Sequence, residues 1–260
     1  MEKLSNKIVL ITGASSGIGQ ACAEVFAGEG ASLILAARRK GRLEKLAENL
    51  AQKYSVKVHC LVFDIRNKTE VDNAISSLPD DLKDIDILIN NAGLARGLSK
   101  VYEADVDNWE EMIDTNIKGL LYVTRQVLPQ MAGREDGHII NIGSTAGHET
   151  YINGNVYSAT KFAVKALTQS IRLDVLDKNI KVSSVDPGMV ETEFSTVRFS
   201  GDEDRAKQVY NGLIPLKAKD VAEAVLFCAT RPSYVNINEI IITPLAQASS
   251  SQVYRKEKSG

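Results

Sequence analysis

Residues 7–19 read KIVLITGASSGIG, an apolar run that passes at once into a turn with glycines at 13, 17 and 19 and then into a helical pattern. The run is nearly continuous in its apolar residues instead of alternating. That is the mark of a strand covered on both faces, as in a parallel sheet. Glycines let the turn bend tightly and bring the backbone close to a ligand, and the helix N-terminus offers unpaired N–H groups to an anion such as a pyrophosphate. The spacing G-x-x-x-G-x-G differs from the G-x-G-x-x-G of most dinucleotide folds. By itself it also fits a glycine-rich turn without a ligand; the strand, turn and helix around it favour a dinucleotide.

Further runs of the same kind lie at 32–37, 57–64, 86–90, 138–142, 181–186 and 239–243. Helical patterns at 19–28, 42–54, 68–77, 109–132, 156–177 and 219–229 separate them. Repeated right-handed β-α-β units predict a single α/β, doubly wound Rossmann-type domain with a seven-stranded parallel sheet and helices on both faces. Two segments interrupt the alternation: the Gly/Ser/Asn-rich loop 143–155 and the excursion 187–218. Both are expected beyond the carboxyl ends of strands, where open α/β sheets bind ligands. The predicted domain covers 1–245, with a substrate lid at about 190–218, and 246–260 is a polar tail expected to be mobile at its end unless a partner subunit holds it.

Bulk properties narrow the function. The chain has 260 residues, 44 % apolar and 25 % charged, with a formal net charge of −2. That balance predicts no nucleic-acid partner. No apolar run reaches the length of a membrane helix, and the N-terminus reads as the start of the fold rather than a signal peptide. Cys22, Cys60 and Cys228 form no C-x-x-C pair and read as reduced thiols of a cytoplasmic protein. No metal site is expected.

Arg38 and Arg39 follow the second strand, about where an NAD-binding chain places a carboxylate for the ribose hydroxyls. A guanidinium instead binds a 2′-phosphate, so NADP is the expected cofactor. In NVYSATK, residues 155–161, Tyr157 and Lys161 stand four residues apart, neighbours on a helix face. A cation there favours the phenolate and would bring the tyrosine toward neutral pH.

TGASSGIG (12–19), NNAG (90–93), Ser144 with Tyr157 and Lys161, and PGMVET (187–192) occur in order over nearly the whole chain. In these the sequence resembles the short-chain dehydrogenase/reductase superfamily. The resemblance implies that Tyr157 is the general acid and base, tuned by Lys161, and that Ser144 binds the substrate oxygen. It also implies that Asn116, in DTNIKG, completes the set by holding a water that links Lys161 to solvent. Gly13, Ser15, Ser16, Gly17, Ile18 and Gly19 would hold the pyrophosphate end of the cofactor. Asp64 and Ile65 would border the adenine, and Asn90, Ala92 and Gly93 its ribose. Pro187, Gly188, Val190 and Thr192 would hold the nicotinamide, with Lys161 on its ribose and Tyr157 beside it.

The stretches DILINNAGLARG, GHIINIGSTAG, VETEFSTVRFSGD and NINEIIITPLAQAS resemble the NADP-dependent 3-hydroxy acid dehydrogenases, which act on serine, L-allo-threonine and related acids. Such a substrate calls for a cation at its carboxylate. Arg198 is the first candidate and Arg96 the second. A reductase of 3-oxoacyl thioesters and a non-catalytic NADP-sensing protein are the alternatives. A homotetramer is expected by the resemblance and from the length of the helices at 109–132 and 156–177, the latter carrying small residues at Ala159, Ala163 and Ala166.

Overall fold

The computed structural model describes residues 4–256; the last four residues of the expected tail lie outside the described residues. In chain order the elements are β1 (Ile8–Thr12), α1 (Gly17–Gly28), β2 (Ser32–Ala37), α2 (Lys40–Tyr54), β3 (Val58–Val62), α3 (Lys68–Ser76), β4 (Ile87–Asn90) and α4 (Val106–Ile113). After them come α5 (Leu120–Arg134), β5 (Gly137–Ile142), α6 (Asn155–Asp174), β6 (Ile180–Pro187), β7 (Val190–Glu191), α7 (Phe194–Arg198), α8 (Glu203–Gln208), β8 (Leu216–Lys217), α9 (Ala218–Ala229) and β9 (Glu239–Ile242). Seven strands form one sheet in the order β3-β2-β1-β4-β5-β6-β9, every pair parallel. The expected doubly wound architecture is the one observed.

The continuous apolar runs have their physical cause in two cores. Val9 and Ile11 of β1 face a cluster with α1, α2 and α9, while Leu10 faces the other side, where α3, α5 and α6 pack. Val9, Leu10 and Ile11 are fully buried, so none of these three positions is available for a polar residue, and Thr12 ends the strand. Each such side chain stabilises the fold by roughly 1.5–3 kcal/mol.

Two expectations change in detail. The helix expected over 109–132 is a longer rod, α4 and α5 joined through Asp114–Gly119, a turn widened to the π form. The excursion at 187–218 is ordered. β7 and β8 pair in parallel, and α7 and α8 lie between them. The tail is not free either. Through residue 256 it folds back onto the lid of its own chain: Lys256 donates from its backbone to Gly212 O at 2.8 Å, and buried Gln247 accepts from Met189 N at 2.8 Å.

Candidate active site

A cleft of about 340 Å³ opens at the carboxyl ends of β1, β2, β4, β5 and β6. This is the edge where the strand order reverses from β1 toward β4, and open α/β sheets bind ligands there. The glycine loop after β1 forms its floor. Gly13 has φ +66°, and a Cβ there would stand 2.9 Å from Asn91 Nδ2 and 3.0 Å from Ala92 Cα. Both the backbone angle and the close approach therefore exclude a side chain. Gly19 does not line the cleft; it lets α1 pack against Gly13 O and Asn91, where a Cβ would come within 2.5 Å.

At one end of the cleft, Arg39 donates to Ser15 Oγ at 3.1 Å, Ser16 Oγ at 2.6 Å and Glu193 Oε2 at 2.8 Å. Arg42 reaches the same glutamate at 2.7 Å. Arg38 lies alongside, half exposed and 3.7 Å from Asp64. Burial works to raise the Asp64 pKa, but hydrogen bonds and charge from Arg66 prevail and hold it below the ordinary carboxylate value. The residues present fit a dinucleotide with a 2′-phosphate: a glycine cradle that a Cβ would fill, two serine hydroxyls, and guanidinium groups beside them.

At the other end stand Ser144, Tyr157 and Lys161. Ser144 follows β5 and its Oγ accepts from Ala146 N at 3.1 Å, so the residue caps a short turn while it lines the cleft. Lys161 is 7 % exposed and donates to Ile142 O at 2.9 Å. Burial lowers its pKa to about 8, against a raising effect from Asp186. Tyr157 corrects an expectation. Burial pushes its pKa above the ordinary value, and the groups that pull it down are Arg198 and Ser144, not Lys161. In the protein alone, desolvation outweighs the pull of Arg198 and Ser144.

Three further expected residues are held by partners that the sequence does not name. Asn90 faces the sheet interior, donating to Thr124 Oγ1 at 3.0 Å and Asn141 Oδ1 at 2.9 Å, and Asn91 is the residue that lines the cleft. The side chain of Asn116 is held by both backbone atoms of Leu94, at 2.8 and 2.9 Å, and by Thr160 at 3.0 Å. It braces the cleft wall, and its Oδ1 and Lys161 Nζ both lie close to Gly93. Arg96 is committed elsewhere: Nε lies 2.5 Å from Glu111 and Nη1 donates to Val197 O at 2.8 Å. Its charge is neutralised and it ties down the lid.

Arg198, the first candidate for a substrate cation, is not among the residues that line the cleft, but it stands over the ring of one that does, Tyr157. Its guanidinium carbon lies 4.9 Å from the ring centroid of Tyr157 and 5.3 Å from that of Phe194, and Nη2 donates to Tyr151 Oη at 2.9 Å. Among the described residues no carboxylate pairs with it, its one side-chain hydrogen bond goes to Tyr151, and its buried Nε has no acceptor. The remaining expected cofactor residues, Ile18, Ile65, Ala92, Gly93, Pro187, Gly188, Val190 and Thr192, all line the cleft. Thr12, Thr115, Glu193 and Phe194 line it too and were not anticipated. Glu193 and Phe194 lie within the VETEF stretch, and no spacing rule marks either.

Comparisons with known proteins agree with this geometry. The short chain dehydrogenase family model matches residues 7–203. The NADP-dependent 3-hydroxy acid dehydrogenase of Schizosaccharomyces pombe is 44 % identical over 258 residues, covering 99 % of this chain and 100 % of that one. A protein of Salmonella typhi with the same description, YdfG, is 45 % identical over 242 residues, 93 % of this chain and 96 % of its own. The solved closed form of serine dehydrogenase complexed with NADP+ superposes with a TM-score of 0.90 at 41 % identity, covering 96 % of this chain and 100 % of that one.

Proposed function

We propose, from the premise that this chain belongs to the short-chain dehydrogenase family, that it is an NADP-dependent oxidoreductase acting on the 3-hydroxyl carbon of a small 3-hydroxy acid such as L-serine or L-allo-threonine. The observation that carries the substrate class is Arg198, a cation on the lid with no carboxylate partner among the described residues, over the ring of Tyr157. An anionic substrate end placed beside the reacting tyrosine would find its counter-charge there.

Bound NADP supplies the hydride acceptor in oxidation and, in reduced form, the donor for the reverse reaction. Tyr157 takes the proton of the 3-hydroxyl group in oxidation and returns it in reduction. Ser144 holds the same oxygen and stabilises the charge that grows on it. Lys161 supplies positive charge behind the tyrosine and a donor for the nicotinamide ribose. Arg39 and Arg38, with Ser15 and Ser16, hold the 2′-phosphate, and Pro187 to Thr192 line the nicotinamide end. Residues 190–218 act as the lid of a single catalytic domain, 1–245, that excludes water from the reacting atoms.

The test is to follow NADPH absorbance with L-serine, L-allo-threonine, 3-hydroxypropanoate and 3-oxoacyl thioesters in turn. Turnover of the thioester alone would refute the reading. No helix among the described residues is long and apolar enough to cross a membrane. A cytoplasmic location is expected from the unpaired cysteines Cys22, Cys60 and Cys228, and fractionation into membranes would contradict it. The homotetramer draws support from α6, where Ala159 and Ala166 are exposed and Ala163 half-buried in the single chain, with the exposed apolar ring of Phe162 beside them, a face on which a second helix can pack. A monomer mass by light scattering at micromolar concentration would refute it.

A further inference from the structure

The lid helix α7 has five residues and cannot satisfy its own ends. Its last two carbonyls are met from outside, by the loop that follows β4. Arg96 Nη1 donates to Val197 O at 2.8 Å, and the backbone N–H of Gly97 donates to Arg198 O at 2.9 Å. Ser200 N also reaches Val197 O, at 3.2 Å. The loop that supplies these donors is itself fixed. Asn116 holds Leu94 by both backbone atoms. Glu111 of α4 accepts from Arg96 through Nε at 2.5 Å and Nη2 at 3.3 Å, and Arg66 meets the same carboxylate at 3.2 Å. On its inner side α7 packs by Phe194 and Val197 on an apolar cluster of Leu94, Ala95, Met112 and Tyr157. Such packing is not directional. The two hydrogen bonds from residues 96 and 97 therefore fix where the C-terminal end of α7 points.

We propose that Arg96 is a positioning residue that sets the place of Arg198 over Tyr157, and through it the preference for a substrate with a carboxylate. It acts through the lid and never touches substrate. The proposal rests on the reading of Arg198 given above. Arg198 is the last residue of α7, so the pinned end of the helix is the backbone from which its side chain leaves. That side chain lies 5.3 Å from the ring centroid of Phe194 and 4.9 Å from that of Tyr157, and its one side-chain hydrogen bond goes to Tyr151 Oη at 2.9 Å. Contacts over rings tolerate sliding, and no ion pair anchors the guanidinium among the described residues. Its position is inherited from the backbone at 197–198, which Arg96 and Gly97 hold. The planar fork suits Arg96 to this task. Its Nε and Nη2 edge is spent on Glu111, and Nη1 is left over for the lid carbonyl. A lysine is a single point charge and cannot meet both in this way.

The test measures kcat/KM for 3-hydroxypropanoate and for its methyl ester, NADPH affinity, and hydrogen exchange over residues 194–199 in the NADP-bound protein. Arg96→Leu should lower the acid-to-ester ratio by about five- to tenfold, chiefly through KM of the acid, because a misplaced contact loses much of its worth. NADPH affinity should hold, and exchange over 194–199 should quicken. Arg96→Lys keeps a cation beside Glu111 and guards against a misfolded variant; it should still lower the ratio. In an Arg198→Ala background neither change should lower the ratio further, since a residue that acts through another has no effect once that one is gone. An unmoved ratio in Arg96→Leu overturns the proposal, as does a full ratio in Arg96→Lys, which would leave Arg96 only a counter-ion for Glu111. Equal falls for acid and ester together with weakened NADPH binding assign it a structural role and overturn it too. Additive falls in the double variant do the same, because Arg96 would then meet the carboxylate itself. Should Arg198→Ala alone leave the ratio untouched, the substrate reading fails. Exchange then decides whether Arg96 places the lid: unchanged rates over 194–199 in Arg96→Leu overturn that, and faster rates uphold it.

Discussion

Replacing Arg198 with alanine separates two effects that the structure joins in one side chain. The guanidinium stands 4.9 Å from the ring centroid of Tyr157 and lowers a pKa that burial raises. Its loss leaves the tyrosine harder to ionise, and that cost falls on every substrate at neutral pH. On the proposed reading it also removes a charge-assisted contact to the substrate carboxylate, worth about 2–4 kcal/mol, or roughly 30- to 1000-fold in kcat/KM. The assay compares 3-hydroxypropanoate with its methyl ester, which keeps the frame and loses the charge. At neutral pH both should slow, the acid by at least a further tenfold. As pH rises the fall on the ester should shrink, because the tyrosine ionises without help; the extra fall on the acid should persist. Arg198→Lys keeps the charge but loses the planar fork and the ring stacking, and should land between the two. Equal falls for acid and ester at every pH would refute the carboxylate contact, leaving Arg198 as a lid residue that touches the tyrosine.

Tyr157→Phe keeps the packing against Phe194, whose ring centroid is 5.7 Å away, and loses only the transferable proton. Turnover should drop by at least about a thousandfold with NADPH binding intact, and activity within tenfold of the unmutated protein would contradict the assignment. Arg39→Ala should cut the preference for NADP over NAD by about 10- to 100-fold, measured as the ratio of the two kcat/KM values. Glu193→Gln should tighten NADPH binding several-fold without changing NADH, since the carboxylate that now sits 2.8 Å from Arg39 competes for the same guanidinium. His138 is buried and its pKa falls from an ordinary 6.5 to about 3. A depressed histidine binds its proton more readily in the unfolded chain, so stability present at neutral pH is lost as pH falls from 6.5 toward 3. Urea unfolding should show a decline of roughly 2 kcal/mol between pH 6.5 and 5 attributable to this residue. His138→Gln should flatten that slope, and an equal slope in both proteins would rule the residue out.

The parallel sheet was legible because burial on both faces leaves its strands no freedom to alternate, so the expected run at 32–37 and the observed β2, Ser32–Ala37, coincide. The glycine loop and the Tyr157–Lys161 pair were legible for the same kind of reason: backbone angle and helical spacing are local. What was not legible depends on which way a side chain turns or on partners far apart in sequence. The doublet Asn90–Asn91 offers two equal candidates to the reader. Alternation along β4 decides between them, since Asn90 shares a face with Leu88, in the core against α5, and Asn91 does not. Arg96 carries the charge a substrate needs, and only the fold shows that Glu111 has already taken it. The bridge from Arg39 to Glu193 spans 154 positions and the pair of His148 with Asp186 spans 38, and no local pattern announces either.

The widened turn at Asp114–Gly119 bears on how this chain can change in length. A π turn is a helix holding one residue more than its neighbours need, and each residue turns an α-helix by about 100°. The faces of α4 and α5 are therefore set one step out of phase, and Asn116 owes its aim at Leu94 and Thr160 to that step. Deleting one residue from this turn would restore regular i→i+4 bonding along the whole rod while swinging the asparagine away from the cleft wall. Length changes are absorbed best in exposed turns, such as the one at Gly201 in the lid. Here a single codon lost gives a more regular helix and an unbraced site.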